Sequence, residues 1–244
     1  MSRPSLAVFR PDDERLDRAV ALLDDLGVDA VGDPMLAVRE TDRVPRDDAD
    51  YALLTSRTGV ELAADAGWDP GAAAVCAIGP RTAGVLEDHG YAVDLVPDEY
   101  TSEGLVDALR DAVDGARVEV ARSDHGAQVL LDGLNDAGAY VHETVLYDLV
   151  RPAGAGDSAE RAARGDLDGA LFTSSMTAEH FVAAARERGV LEGALDGLDR
   201  GVVGAIGAPT RETAESLGIT VDVVPEDATF EALARAVVAR LGEA

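Results

Sequence analysis

Ala77-Ile78-Gly79, running on to Gly90-Tyr91-Ala92-Val93-Asp94-Leu95-Val96-Pro97, returns later in the chain as Ala205-Ile206-Gly207 running on to Gly218-Ile219-Thr220-Val221-Asp222-Val223-Val224-Pro225. The offset is 128 with no gap, and it still pairs Thr101 with Thr229 and Leu105 with Leu233. Upstream, Leu53-Leu54-Thr55-Ser56 matches Leu171-Phe172-Thr173-Ser174 at offset 118, and Val8-Phe9-Arg10 matches Val120-Ala121-Arg122 at offset 112. The growing offset places extra residues in the second copy, around Leu191–Arg200. Two copies of about 110 residues are too few and too long for a solenoid. They imply two similar domains.

Inside each copy, short β-rich runs alternate with helical patterns, the signature of parallel α/β structure. Strands are expected at Leu6–Phe9, Tyr51–Leu54, Ala74–Ile78, Val93–Val96, Val118–Ala121, Gly169–Phe172, Val202–Ile206 and Val221–Val224. Leu16, Ala19, Val20, Leu23 and Leu26 share one helical face, and Asp12 and Asp13 suit the N-terminus of that helix. Phe230, Leu233, Ala234, Val237, Val238 and Leu241 form a second stripe near the end of the chain. Met35–Val44 and Glu143–Pro152 interrupt the rhythm, and Met35–Val38 and Val145–Val150 are expected to pair as a two-stranded connector, followed by a glycine-rich loop at Ala153–Asp157.

Composition narrows the chemistry. All 21 basic residues are arginine, so lysine Schiff bases and the lysine-bearing phosphate loop are excluded. The single cysteine, Cys76, cannot form an internal disulfide or a multi-thiolate metal site, and reads as a small core residue. His89, His125, His142 and His180 lack ligand spacing, so no metal is expected. No nucleophile elbow and no complete dinucleotide-binding glycine motif is present. The longest uncharged run, Pro70–Pro80, is far short of a membrane span, and no signal-peptide pattern opens the chain. A soluble cytoplasmic protein is expected. With 47 acidic residues the net charge is −26, which argues against a nucleic-acid partner and reads as adaptation to a salty cytoplasm.

Open parallel sheets bind ligands beyond the C-terminal ends of their strands. Six such ends carry hydrogen-bonding groups: Arg10, Thr55-Ser56, Gly79–Thr82, Arg122-Ser123, Thr173–Ser175 and Gly207–Thr210. Two of these loops, Gly-Pro-Arg-Thr and Gly-Ala-Pro-Thr, turn straight into a helix, where backbone N–H groups favour a carboxylate or phosphate. The plainer reading is that Thr82 and Thr210 cap their helices, as Thr-Ser caps the others. The same donors at matched places in two domains, facing one cleft, suit a large ligand with many anionic groups.

Taken in order, Arg10-Pro11, Leu54-Thr55-Ser56-x-x-Gly59-Val60, Ile78-Gly79-x-x-Thr82-Ala83 with Gly90 and Pro97, Ala121-Arg122 with Leu130, Leu134 and Gly138, Val145-Leu146-Tyr147, Phe172-Thr173-Ser174-Ser175 and Ile206-Gly207-x-x-Thr210 resemble the uroporphyrinogen-III synthase family over nearly the whole chain. Gly207-Ala208-Pro209-Thr210 departs from the family's more frequent Gly-Pro-x-Thr. The resemblance implies two similar flavodoxin-like parallel-sheet domains joined by the two-stranded β connector, with the N-terminal segment belonging to the C-terminal domain. Domain 1 would comprise residues 1–34 and 153–244, the connector 35–48 and 143–152, and domain 2 residues 49–142.

It also implies an activity. Linear hydroxymethylbilane would close to uroporphyrinogen III through a spiro intermediate, with loss of water and inversion of ring D, by a monomer that needs no cofactor or metal. Carried over by position, Tyr147 would assist departure of the hydroxyl, while Ser56, Thr82, Ser174 with Ser175, and Thr210 would line the cleft. To these we add Arg10 and Arg122 as carboxylate partners, on charge alone; a surface salt bridge is the competing role for each. A two-domain module that binds a small polyanion and catalyses nothing would share all these features.

The acidity makes a prediction of its own. Lowering salt lengthens the reach of the repulsion within a −26 chain. The melting temperature is expected to fall on dialysis into about 50 mM salt, where the Debye length exceeds ~10 Å. An unchanged melting curve there overturns the halophilic reading.

Overall fold

The computed structural model describes residues 3–11 and 13–243. The chain divides into two compact units, Met1–Ala37 with Val150–Ala244, and Val38–Leu149. Each is a sheet dominated by parallel pairings with helices on both faces, as expected for chains whose strands are buried on both sides.

In the first unit β1 (Ser5–Phe9) lies between β2 (Asp29–Gly32) and β8 (Gly169–Phe172), and β9 (Val202–Ala205) completes the order β2-β1-β8-β9. All three pairings are parallel. Alternation along β1 sends Leu6 and Val8 to one core and Ala7 and Phe9 to the other. Leu6 and Val8 pack with α1 (Glu14–Asp25) and α10 (Phe230–Leu241). Phe9 stacks on Phe172 at 4.7 Å between ring centroids, and Phe181 of α7 (Ser175–Glu187) closes the trio. This second face is also covered by α6 (Asp157–Arg164), α8 (Leu191–Leu198) and α9 (Ala208–Ser216). The extra residues of the second copy are therefore a helix, α8. Asp13 is the N-cap of α1, its side chain accepting from the Arg15 N–H; Asp12, read with it from the sequence, lies outside the described residues.

The second unit repeats the plan in the order β3-β7-β6-β4-β5, with β3 (Ala37–Glu40), β7 (Tyr140–Val150), β6 (Arg117–Ser123), β4 (Tyr51–Leu54) and β5 (Ala74–Ala77). On one face lie α2 (Arg57–Asp65) and α3 (Pro80–Asp88), on the other α4 (Ser102–Leu109) and α5 (Gln128–Asp136). The two segments expected to pair as a connector do meet: β3 lies beside β7, with the Thr41 N–H donating to the Leu146 carbonyl at 2.9 Å, and β7 also continues into the sheet through β6. Strand β7 pairs with β6 from Tyr140 to Tyr147 and has β3 on its other side, which makes β3 the edge of the sheet.

The duplication extends to individual hydrogen bonds. Asp50 accepts from the Arg117 N–H at 2.8 Å, and Asp168 accepts from the Ser5 N–H at 2.8 Å. Asp94 accepts from the Val75 N–H, and Asp222 from the Val203 N–H, both at 2.8 Å. Those last two bonds correct the expected strands at Val93–Val96 and Val221–Val224. The aspartate carboxylate takes the N–H that a further strand would bond with its own carbonyl, and only single bridges form, Cys76 to Leu95 and Gly204 to Val223. Cys76 and Gly204 occupy the same repeat position. A Cβ on Gly204 would stand 2.5 Å from Val237 Cγ2, so α10 requires the small residue there. Burial, then the Asp94 charge, pushes the Cys76 thiol up to about 12, which keeps it inert.

One buried carboxylate ties the two separated parts of the first unit together. Asp33, 4% exposed, follows β2 and accepts from the Gly156 and Ser158 N–H groups at 2.9 Å each, and from the Ser158 hydroxyl. Gly156 takes φ 114°, a left-handed conformation that glycine adopts without strain, and so aims its N–H at Asp33 from the N-terminus of α6. Asp33→Ala leaves three buried donors unpaired and is expected to cost about 3 kcal/mol of stability, while Asp33→Asn, which keeps an acceptor, costs about 1 kcal/mol. Urea unfolding curves measure both, and equal stability of Asp33→Ala and the parent contradicts the assignment.

Candidate functional site

The C-terminal ends of β4 and β6 and the middle of β7 converge on a cavity of about 190 Å³ in the second unit, lined among others by Ser56, Ser102, Arg122, Ser123 and Tyr147. Ser56 follows β4 directly and is the N-cap of α2: its Oγ accepts from the Gly59 N–H at 3.0 Å. The Tyr147 hydroxyl donates to the same oxygen at 3.0 Å. Tyr147 reaches it because β7 carries an extra residue. Arg122 pairs with Val145, but the next β6 residue, Ser123, pairs with Tyr147, so Leu146 is bulged out of register. Leu146 and Tyr147 consequently both turn into the same core. Strict alternation would have sent Tyr147 to the opposite face from Leu146.

Arg122 is 3% exposed and held by two short hydrogen bonds. Its Nε donates to Glu143 Oε1 and an Nη to the Ala127 carbonyl, each at 2.6 Å. It runs over Gly126, where a Cβ would come within 2.3 Å of its Cδ. Of the two roles open to it in the sequence, the structure displays the salt bridge. Thr82 is buried in α3 but is not that helix's cap. The N-cap is Gly79, without a side-chain bond, and Thr82 sits three residues on. Thr210 likewise follows the N-cap Gly207 of α9. The capping role expected for these two threonines is thereby corrected, while Ser56 and Ser174 do cap.

In the first unit Ser174 forms a capping box with Thr177 on α7. Ser175 donates to the Pro209 carbonyl at 3.2 Å and accepts from Thr213 at 2.9 Å, fastening α7 to α9 beside Thr210. Arg10, at the C-terminal end of β1, lies over the Phe230 ring with 4.9 Å between guanidinium carbon and centroid. Its Nε is buried and, among the described residues, has no hydrogen-bond partner. Burial, then repulsion from Arg15, lowers its pKa against an opposing pull from Asp13. Sequence reading missed Phe230, assigned there to a core stripe, and Ser102; their matched positions at offset 128 were the available signal.

A larger cavity, about 660 Å³, opens at the opposite, N-terminal ends of β4, β6 and β7, around Arg117, Tyr140 and His142. Its arginines are already paired with Asp48 and Asp50, and parallel sheets place their chemistry at the other end. Among the described residues, no three His, Cys, Asp or Glu side chains gather as metal ligands do. None of the described helices is long and apolar enough to cross a membrane.

Comparison with known proteins gives a consistent answer. A family model described as uroporphyrinogen-III synthase HemD matches residues 17–235. A putative uroporphyrinogen-III synthase of Methanothermobacter thermautotrophicus is 35% identical over 257 residues, spanning 98% of this chain and 99% of that one. The uroporphyrinogen-III synthase of Synechococcus elongatus is 30% identical over 200 residues, covering 78% and 75%. Two solved structures share the fold. A mutant uroporphyrinogen III synthase of Thermus thermophilus superposes with a TM-score of 0.68 at 18% identity over 98% and 99% of the chains, and the Helicobacter pylori synthetase with 0.62 at 13% over 96% and 97%. The parallel two-unit architecture, its duplicated strand ends and these matches together make the chain a member of the uroporphyrinogen-III synthase family, cyclising lyases of tetrapyrrole biosynthesis.

Proposed function

We propose that this protein converts hydroxymethylbilane to uroporphyrinogen III, and that Tyr147 supplies the proton for the departing hydroxyl. The observation that carries the reading is the Tyr147–Ser56 hydrogen bond inside a cavity at the C-terminal strand ends. Loss of the hydroxyl leaves an electrophilic azafulvene, which an electron-rich pyrrole carbon attacks. The protein's main task is then to hold a flexible octacarboxylate in the one geometry that inverts ring D, an orientation effect of large potential size. Ser174, Ser175, Thr82, Thr210 and the backbone N–H groups beside them supply neutral donors for carboxylates. Arg10 supplies a charged one. Arg122, neutralised by Glu143, contributes by shaping the cavity wall in which Tyr147 sits. The reading includes a monomer in the cytoplasm with no nucleic-acid partner, since a net charge of −26 repels phosphate.

Incubation with enzymatically prepared hydroxymethylbilane and separation of the product isomers tests the reaction. Excess isomer III is expected; isomer I alone marks a binding module. Tyr147→Phe keeps the ring that packs in the core and removes the donor, so it is expected to fold normally and to form isomer III roughly tenfold more slowly or worse. Parental turnover in that variant removes the catalytic role. Arg10→Gln is expected to raise KM about tenfold with a much smaller change in kcat, since it deletes a charge-assisted bond made to bound substrate. An unchanged KM contradicts the carboxylate role.

A further inference from the structure

Resting on that reading of the reaction, we infer that Ser56, not Tyr147, is the group that touches the departing hydroxyl, and that Tyr147 acts through it. Ser56 Oγ accepts two hydrogen bonds, from the Gly59 N–H and from the Tyr147 hydroxyl, each at 3.0 Å. Both its lone pairs are then occupied, and its own proton has no acceptor left on that side. The direction of the pair follows from chemistry as well as geometry: a phenol is the stronger donor and an aliphatic hydroxyl the better acceptor. Tyr147 therefore spends its proton on Ser56, and the proton free to meet a ligand is that of Ser56. Two incoming bonds polarise the Ser56 O–H and make it a better donor than an isolated serine.

The duplicated unit provides an internal control. Ser174 is the counterpart of Ser56 and caps α7 in the same way. The bridge between Pro11 and Leu36 stands where Ser123 meets Tyr147, so Leu36 occupies the position of the tyrosine. A capping serine is thus common to both units, and only Ser56 has a phenol behind it.

The step balances as a relay. The Ser56 Oγ–H bond breaks as its proton moves to the hydroxyl oxygen of the substrate, and the carbon–oxygen bond breaks with its electron pair leaving on water. The Tyr147 proton passes to Ser56 Oγ in the same event. The products are an azafulvenium cation, water and the Tyr147 phenolate. After ring closure the proton shed by the attacked pyrrole returns along the same two oxygens.

Ser56→Gly deletes the hydroxyl while retaining a residue tolerated at N-caps nearly as well as serine, so the fold is kept. Its kcat for isomer III is expected to fall roughly tenfold or more with KM changed less than about threefold, and Ser56→Thr is expected to restore turnover. Because Tyr147 works only through Ser56, the Ser56→Gly/Tyr147→Phe double variant should be no slower than Ser56→Gly. The parent protein should give a curved rate dependence in mixed H2O and D2O, from two protons in flight, and Tyr147→Phe a straight one. Parental kcat in Ser56→Gly, or a double variant whose losses multiply, overturns the relay and leaves Tyr147 as the direct donor. Isomer I alone from the parent protein is a different failure, that of the reaction assignment itself.

Discussion

Strand β1 makes the rest of the first unit possible. It pairs with β2 on one edge and, across more than 150 residues of sequence, with β8 on the other, Leu6 to Gly169 through Phe9 to Phe172. Without it β2 and β8–β9 would each expose an unpaired edge, and Phe172 and Phe181 would lose the Phe9 ring that completes their cluster. The N-terminal segment must therefore find the C-terminal half, and polar groups secure the junction at both ends of the strand. The Asp168 carboxylate accepts the Ser5 N–H at the start of β1, and the Asp33 carboxylate, held by Gly156 and Ser158, closes the far end of the adjoining β2. Such non-local pairing makes folding slower than local helix formation, because loop closure comes before the contacts that reward it.

Much of this was legible in the residues. The gapless repeat identified both sheets, and the widening offset located α8. Reading failed where a side chain did the work of backbone. Asp94 and Asp222 look like polar positions within strands, yet their carboxylates end the ladders they were expected to continue. Thr82 and Thr210 look like caps because a glycine has no side-chain signal, although Gly79 and Gly207 hold the N-cap positions. The bulge at Leu146 left no trace in hydrophobic pattern, since an inserted apolar residue in an apolar strand is silent. Yet that bulge aims Tyr147 at Ser56.

Arginine was read least well, for an electrostatic reason. In a chain with 47 acidic residues every arginine has acids nearby in sequence, so sequence proximity says nothing about which cation remains available. Arg15 has Asp13, Arg188 has Glu160 and Asp157, and Arg122 has Glu143. Availability is decided by geometry: whether burial excludes competing carboxylates from one particular guanidinium. At Arg10 the Phe230 face attracts the cation without neutralising it, and its buried Nε has no hydrogen-bond partner among the described residues.

The two units share one plan yet carry different side-chain contacts at equivalent places. Arg122 has an acid and a backbone acceptor, while its counterpart Arg10 has a buried N–H without a partner among the described residues. Position 230 became the aromatic shelf under Arg10, while its counterpart Ser102 lines the cavity that holds Tyr147. Tyr147 stands where the first unit has Leu36. A bare guanidinium beside the Tyr147–Ser56 pair would oppose any positive charge developing on a ligand there. In the second unit the arginine beside the hydroxyl pair is neutralised instead, Arg122 having Glu143 on its Nε. Repulsion between like charges falls with distance and rises with burial, so the gain is largest where Arg122 is most deeply buried.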